Sequence, residues 1–164
     1  MSYRVGTAFD AHRLVAGRPL VLGGVTIEHE GGLEGHSDAD IVCHALIDAM
    51  LGASALGDIG DLFPPDDPRF AGAASIDLLA RAWQQIAAAG FALVNCDAVV
   101  VAQAPRIGPH RLAMRERIAA AHGCDVDRVS VRATGTDGLG FMGRSEGMAC
   151  QAVALLETSE GPTR

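Results

Sequence analysis

Between Tyr3 and Ala11 the side chains alternate, with Val5, Thr7 and Phe9 against Gly6, Ala8 and Asp10, which predicts a strand that carries its acid on a face of small residues. Two apolar runs within Pro19 to Ile27 meet at Gly23-Gly24 and predict a hairpin. Gly31 to Gly35 then delivers the chain to a segment with a different period. There Ile41, Val42, Leu46, Ala49, Met50 and Ala53 cover most of a helix, while Asp40, His44 and Asp48 recur every four residues along one stripe. Ser37 followed by Asp40 has the form of a capping box, so the helix is expected to run from Asp38 to near Gly57. Asp61 to Pro68 has no period and is rich in proline and acid, a surface loop or a lid.

A second amphipathic helix is expected over Ser75 to Ala89, with Gly90 as its stop, followed by a strand from Phe91 to Gln103. Pro109 opens a third helix that ends near His122-Gly123, and Val129 to Thr134 is another strand. A glycine-rich loop, Gly135 to Gly147, leads to a last strand, Met148 to Leu156. This order predicts an α+β domain over residues 1–157, a mixed β-sheet with helices packed on one face (a β-α-β-α-β-β core), with residues 158–164 a disordered tail. The sheet's second face then needs a cover, and a 4% aromatic content leaves few large side chains for it, so self-association is expected.

Charge narrows the partners. The chain has a net charge of −7, and its 13 basic residues are all arginine without any cluster, which argues against a nucleic-acid surface. Cys43, Cys96, Cys124 and Cys150 are widely spaced, with no C-x-x-C pair, and read as small buried hydrophobes. No basic-then-apolar leader and no bilayer-length apolar run is visible, so a cytoplasmic protein without membrane association is expected.

The polar stripe carries the chemistry. A solvated face accounts for Asp40, but His44 needs partners that its helix does not supply. Asp10-Ala11-His12 supplies them, because strand positions two apart point the same way. Together they offer two nitrogens and one oxygen, the ligand count of a catalytic zinc site that keeps one position open. Asp48 reads as a supporting or solvated acid, and His29, His110 and His122 as surface residues. The Thr134-Gly135-Thr136-Asp137 turn and the glycine-rich loops suit a phosphorylated ligand.

Five collinear blocks, Phe9-Asp10-Ala11-His12, Gly35 to Asp40, Leu56 to Pro64, Ala102 to Pro105 and Gly140 to Gly147, resemble the 2-C-methyl-D-erythritol 2,4-cyclodiphosphate synthase family of the non-mevalonate isoprenoid pathway. The resemblance implies a phosphorus–oxygen lyase that turns 4-diphosphocytidyl-2-C-methyl-D-erythritol 2-phosphate into the cyclic diphosphate and releases CMP. It implies a homotrimer with active sites between subunits, one zinc ion per subunit on Asp10, His12 and His44, and a magnesium or manganese ion on the substrate diphosphate. Substrate contacts fall on Asp10, His12, His36 and Ser37. The methylerythritol portion is assigned to Asp58, Ile59 and Gly60, with Phe63 and Asp67 following. Ala102, Pro105, Arg106, Ile107 and Gly108 form the cytidine pocket with Thr134, and Gly135, Thr136 and Asp137 continue that contact set. His36, Thr134 and Gly135 are the implied catalytic positions. Phe141 and Arg144 line the trimer axis, where an isoprenoid diphosphate can sit, although Arg144 and Glu146 also read as an ordinary ion pair. The chain departs from the family pattern at Gly135, where a second threonine is usual, at Arg106, where lysine is common, and at Pro65. Two other readings are a metal-dependent phosphohydrolase and a non-catalytic trimeric protein that binds isoprenoid diphosphates.

Overall fold

In the computed structural model, which describes residues 2–158, the alternation seen from Tyr3 runs on well past Ala11. β1 (Ser2–Ala16) keeps it through fifteen residues because it has a partner all the way. It pairs antiparallel with β7 (Gly147–Thr158) from Ser2 to Arg13, and then with β4 (Gly31–Leu33) from Leu14 to Ala16. The hairpin forms as expected from β2 (Leu20–Leu22) and β3 (Val25–Ile27). Gly23 and Gly24 both take positive φ, 58° and 74°, which a two-residue turn of this kind requires.

The first helix differs at both ends from its sequence reading. α1 (Ile41–Ser54) is capped by Asp40 rather than Ser37, and Ala39, at φ 59°, cannot belong to a right-handed helix. Asp40 is fully buried, not solvated. Its Oδ1 accepts the Val42 and Cys43 N–H groups of the helix and the Gly23 N–H of the hairpin, and its Oδ2 accepts Gly24 N–H. One carboxylate thus fastens the β2–β3 turn to the helix. Burial pushes the Asp40 carboxyl up from its ordinary range, and the Gly24, Gly23 and Cys43 N–H groups oppose that rise. At the other end Ala55, at φ 57°, stops the helix before Gly57.

α1 is buried on nearly all sides, as befits a helix at the centre of a core. It meets β1 backbone to backbone: a Cβ at Gly6 would lie 1.9 Å from the Ala49 carbonyl oxygen, so no other residue fits there. Only His44, Asp48 and Gly52 along the helix escape full burial. That four-residue spacing is the polar stripe, and it opens to one side.

The loop after α1 is partly helical. α2 (Ile59–Leu62) carries a capping box between Asp58 and Asp61, and Phe63 and Phe70 anchor the next stretch of chain by an edge-to-face contact at 5.3 Å. α3 (Ser75–Ala88), β5 (Phe91–Val101), α4 (Arg111–His122) and β6 (Val129–Thr134) match the sequence reading within about two residues at each end. The glycine-rich loop contains a one-turn helix, α5 (Gly140–Gly143).

The main sheet has the order β4-β1-β7-β5-β6, with β5 and β6 parallel and the other pairs antiparallel, a mixed α+β fold. On its outer face Tyr3, Val5, Phe9 and Val153 are exposed. Of the expected tail, Thr158 belongs to β7, paired with Ser2 and Phe91, and the remainder lies outside the described residues. Cys43, Cys96 and Cys150 are buried and Cys124 is half-buried, all free thiols. His122, expected at the surface, is 5% exposed and packs edge-on against Trp83 at 5.4 Å, because α4 turns its last residue inward against α3.

Candidate active site

β1 directs Asp10 and His12 toward α1, whose first turn carries His44. Among the described residues, one group of three His, Cys, Asp or Glu side chains brings its ligand atoms within 4.8 Å of one another, and it is Asp10, His12 and His44. Asp10 Oδ2 lies 3.1 Å from His12 Nε2 and 3.2 Å from His44 Nδ1. Each ring is held from behind. His12 Nδ1 meets the Glu34 carbonyl oxygen, and His44 Nε2 lies 3.0 Å from Ser75 Oγ and 3.1 Å from Ser37 Oγ.

The carbonyl behind His12 assigns that ring's proton, and the donor set as a whole tests whether a cation fits. A carbonyl oxygen only accepts, so His12 Nδ1 carries the hydrogen and a neutral ring presents the Nε2 lone pair. His44 Nδ1 faces the same point and brings a lone pair to it when the ring's hydrogen is on Nε2. Two lone pairs and a carboxylate oxygen then converge, an arrangement that repels itself unless protons or a cation fill it, and the donor set suits zinc. Burial works against a charged Asp10, but hydrogen bonds and charge from His12 and His44 hold its carboxyl well below the usual range. The bond to Asp10 raises His12.

The corner floors a cleft of about 260 Å³, also lined by His36, Ser37, Asp48, Ile59, Gly60 and Phe63. His36 Nε2 is tied to the Asp67 carbonyl oxygen at 3.0 Å, and the Asp67 carboxylate is paired with Arg69. Asp58 is exposed at the N-cap of α2. Asp48, set aside in the sequence reading, lines the cleft and accepts Ile59 N–H at 2.7 Å, and burial raises its carboxyl. Its four-residue spacing from His44 was the available signal. Ser75 and Asp38 were missed altogether, since Ser75 reaches His44 only through the tertiary fold.

The other implied site residues do not line this cleft. Ala102 to Gly108 and Thr134 to Asp137 cluster where β5 and β6 end, with Ala102 N–H donating to the Thr134 carbonyl oxygen at 3.1 Å. Strand register puts both clusters at one end of the sheet: Ala11 pairs with Ala149, Ala149 with Val101, and Val101 with Thr134. Three strand steps separate β1 from β6, about 14 Å. Pro105 follows a cis peptide bond, Arg106 and Gly108 are exposed, and Ile107 is 3% exposed, its side chain given to the core. Thr134, Gly135 and Asp137 are exposed, and Thr136 donates to the Leu139 carbonyl oxygen at 2.6 Å. Gly135 is not in the left-handed region, and a Cβ there would meet nothing nearer than 3.9 Å. Phe141 shares a shallow groove with Ala11, Arg13 and Glu146, and Arg144 pairs with Glu146 at 2.7 Å.

A family model, the YgbB family, matches residues 3–157. The chain belongs to that family. A relative from Moorella thermoacetica, named 2-C-methyl-D-erythritol 2,4-cyclodiphosphate synthase, is 57% identical over 93% of this chain and 94% of its own. A relative of the same name from Escherichia coli is 56% identical over 93% of this chain and 96% of its own. Among solved structures, the bifunctional IspDF of Campylobacter jejuni superposes with a TM-score of 0.93 at 42% identity, over 97% of this chain, which spans 43% of that longer protein. A 2C-methyl-D-erythritol-2,4-cyclodiphosphate synthase in a CDP-bound form has a TM-score of 0.85 at 38% identity, over 94% of this chain and all of that one.

Proposed function

We propose that this chain converts 4-diphosphocytidyl-2-C-methyl-D-erythritol 2-phosphate to 2-C-methyl-D-erythritol 2,4-cyclodiphosphate with release of CMP, as a phosphorus–oxygen lyase of isoprenoid biosynthesis. The convergence of Asp10, His12 and His44 at the floor of a cleft carries the reading. Relatives that bear the name of this activity at 57% and 56% identity support it.

In the reaction an oxygen of the 2-phosphate bonds to the β-phosphorus while the bond from that phosphorus to the CMP oxygen breaks. The attacking group is already an anion, so no general base is required. The barrier lies in folding the substrate on itself and bringing two negative phosphates together. Asp10, His12 and His44 would hold zinc, which, with a second divalent ion, magnesium or manganese, would supply the neutralising charge. The chain's own residues position the rest. His36, steered by the Asp67 carbonyl, and Ser37 face the phosphates, and Asp58 with the turn to Gly60 takes the methylerythritol hydroxyls. Phe63 walls the cleft against water. Ala102 to Gly108 and Thr134 to Asp137 receive the cytidine end.

Residues 1–157 act as one domain, and three copies form the working unit. The exposure of Tyr3 (61%), Val5 (69%), Phe9 (61%) and Val153 (40%) on one sheet face supports a partner there. In a trimer the β5–β6 end of one subunit completes the cleft of the next, and Phe141 and Arg144 surround an axis able to hold an isoprenoid diphosphate. The proposed compartment is the cytoplasm. No helix of the described residues is long and apolar enough to cross a membrane.

Phosphorus NMR of the purified protein incubated with substrate tests the reading. Cyclic diphosphate appearing with stoichiometric CMP is the expected result. A linear product from water attack would instead make it a phosphohydrolase, and ligand binding without CMP release would make it a binding protein.

A further inference from the structure

His44 is the ligand whose proton has the least obvious owner. Both its ring nitrogens face oxygen atoms: Asp10 Oδ2 at 3.2 Å from Nδ1, and the hydroxyls of Ser75 at 3.0 Å and Ser37 at 3.1 Å from Nε2. Hydroxyls both donate and accept, so these contacts alone leave the tautomer open.

Asp38 bears on the question through Ser75. Its carboxylate accepts the Ser75 hydroxyl and the Asp40 N–H at Oδ1, and the Ser75 N–H at Oδ2. The Ser75 hydroxyl has a single hydrogen, and the carboxylate takes it. Ser75 Oγ is therefore left to accept, from His44 Nε2–H and from the Ser37 hydroxyl 3.2 Å away. Ser37 Oγ in turn accepts Ala39 N–H. With Ser75 closed as a donor, the shortest contact at His44 Nε2, 3.0 Å to Ser75 Oγ, is satisfied only when the ring donates there, and that leaves the Nδ1 lone pair aimed at the point shared with Asp10 and His12. Ser75 is fully buried, so water does not compete for these bonds. The same contacts tie the segment bearing His36 and Ser37 to the start of α3, since Gly72 N–H donates to the His36 carbonyl and Asp38 N–H to the Ala73 carbonyl.

We propose that Asp38 and Ser75 are positioning residues that fix His44 in its Nδ1-ligating tautomer and thereby set the affinity of the metal corner. The role rests on the metal centre proposed above and adds two residues to it. Carboxylate partners behind a ligating imidazole act in this way, here through an intervening hydroxyl.

Zinc affinity, measured by competition with a chromophoric chelator on the full chain, tests the role without recourse to turnover. Ser75→Ala is expected to weaken zinc binding roughly 10- to 100-fold, and Ser75→Thr, which keeps the hydroxyl, to restore most of it. Long-range proton–nitrogen NMR of the zinc-loaded wild-type protein, which needs no variant, should show His44 protonated at Nε2. A Ser75→Ala affinity within twofold of wild type, while His44→Ala abolishes binding, would overturn the relay and leave the metal corner standing. So would His44 found protonated at Nδ1. A wild-type chain that takes up no zinc would overturn the corner itself, and the relay with it.

Discussion

The two halves of the candidate site are built to different standards. At the metal corner both histidine ligands have partners behind them, drawn from separate parts of the chain: Glu34, Ser37 and Asp38 before α1, and Ser75 at the start of α3. The β5–β6 end, some three strands along the same sheet edge, consists of exposed loops held mainly by contacts within themselves, such as Thr136 to Leu139. A corner that must aim lone pairs at one point needs rigid elements, because an error of a few tenths of an ångström forfeits a ligand bond. The proposed nucleoside surface, completed by a neighbouring copy in the proposed trimer, can be left open until that copy arrives. The contrast therefore teaches which half is complete in one chain.

The largest expected effect breaks the complete half. His44→Ala or His12→Ala should abolish zinc uptake and lower CMP release by roughly a thousandfold or more, while circular dichroism reports a folded chain. Val5→Asp should break the other half without touching the first. Placing a carboxylate in the apolar face of the proposed trimer contact should give a monomer by sedimentation, with CMP release down by roughly a hundredfold and zinc still bound. Loss of zinc in that monomer would show that the corner is not complete alone.

His122 sharpens the comparison from a third position. It is buried more deeply than the corner histidines, yet neither of its ring nitrogens has a hydrogen-bond partner, and burial pushes it down to about 4 from 6.5. Because the folded value lies below the unfolded one, the unfolded chain takes up the proton first as pH falls. This contribution to stability is intact above about pH 6.5 and is lost between there and about pH 4, about 3 kcal/mol in all. Denaturant titrations across that window should show the loss in wild type and a flatter profile in His122→Phe. The smallest effect is expected at Gly135. With free space for a side chain and no left-handed backbone, Gly135→Thr should leave the melting temperature within about 2 °C and turnover equal or higher. A large loss of either would mean that the loop needs its glycine.

Much of the corner was legible in the sequence because its parts are periodic. Asp10 and His12 sit two apart in a strand, and His44 and Asp48 sit four apart on a helix, so local geometry alone aimed them. Asp40 was misread for the opposite reason. Its role is to cap α1 while holding the Gly23-Gly24 turn, and a contact seventeen residues back leaves no trace in a helical pattern. Ser75 and Asp38 escaped because each looks like a helix-start residue and acquires its second role only when α3 packs beside α1. His122 looked like a last-turn surface residue until Trp83 of α3 was placed against it. Periodicity thus conveyed the candidate ligands, and packing conveyed what holds them.

A crystal of the zinc-loaded protein measured at the zinc absorption edge bears most directly on the corner. The expected result is one anomalous peak per chain, about 2.0–2.2 Å from an Asp10 carboxylate oxygen, His12 Nε2 and His44 Nδ1, with a fourth position turned to the cleft. A zinc-replete crystal with no peak at that corner, or with the peak on other residues, would contradict the account.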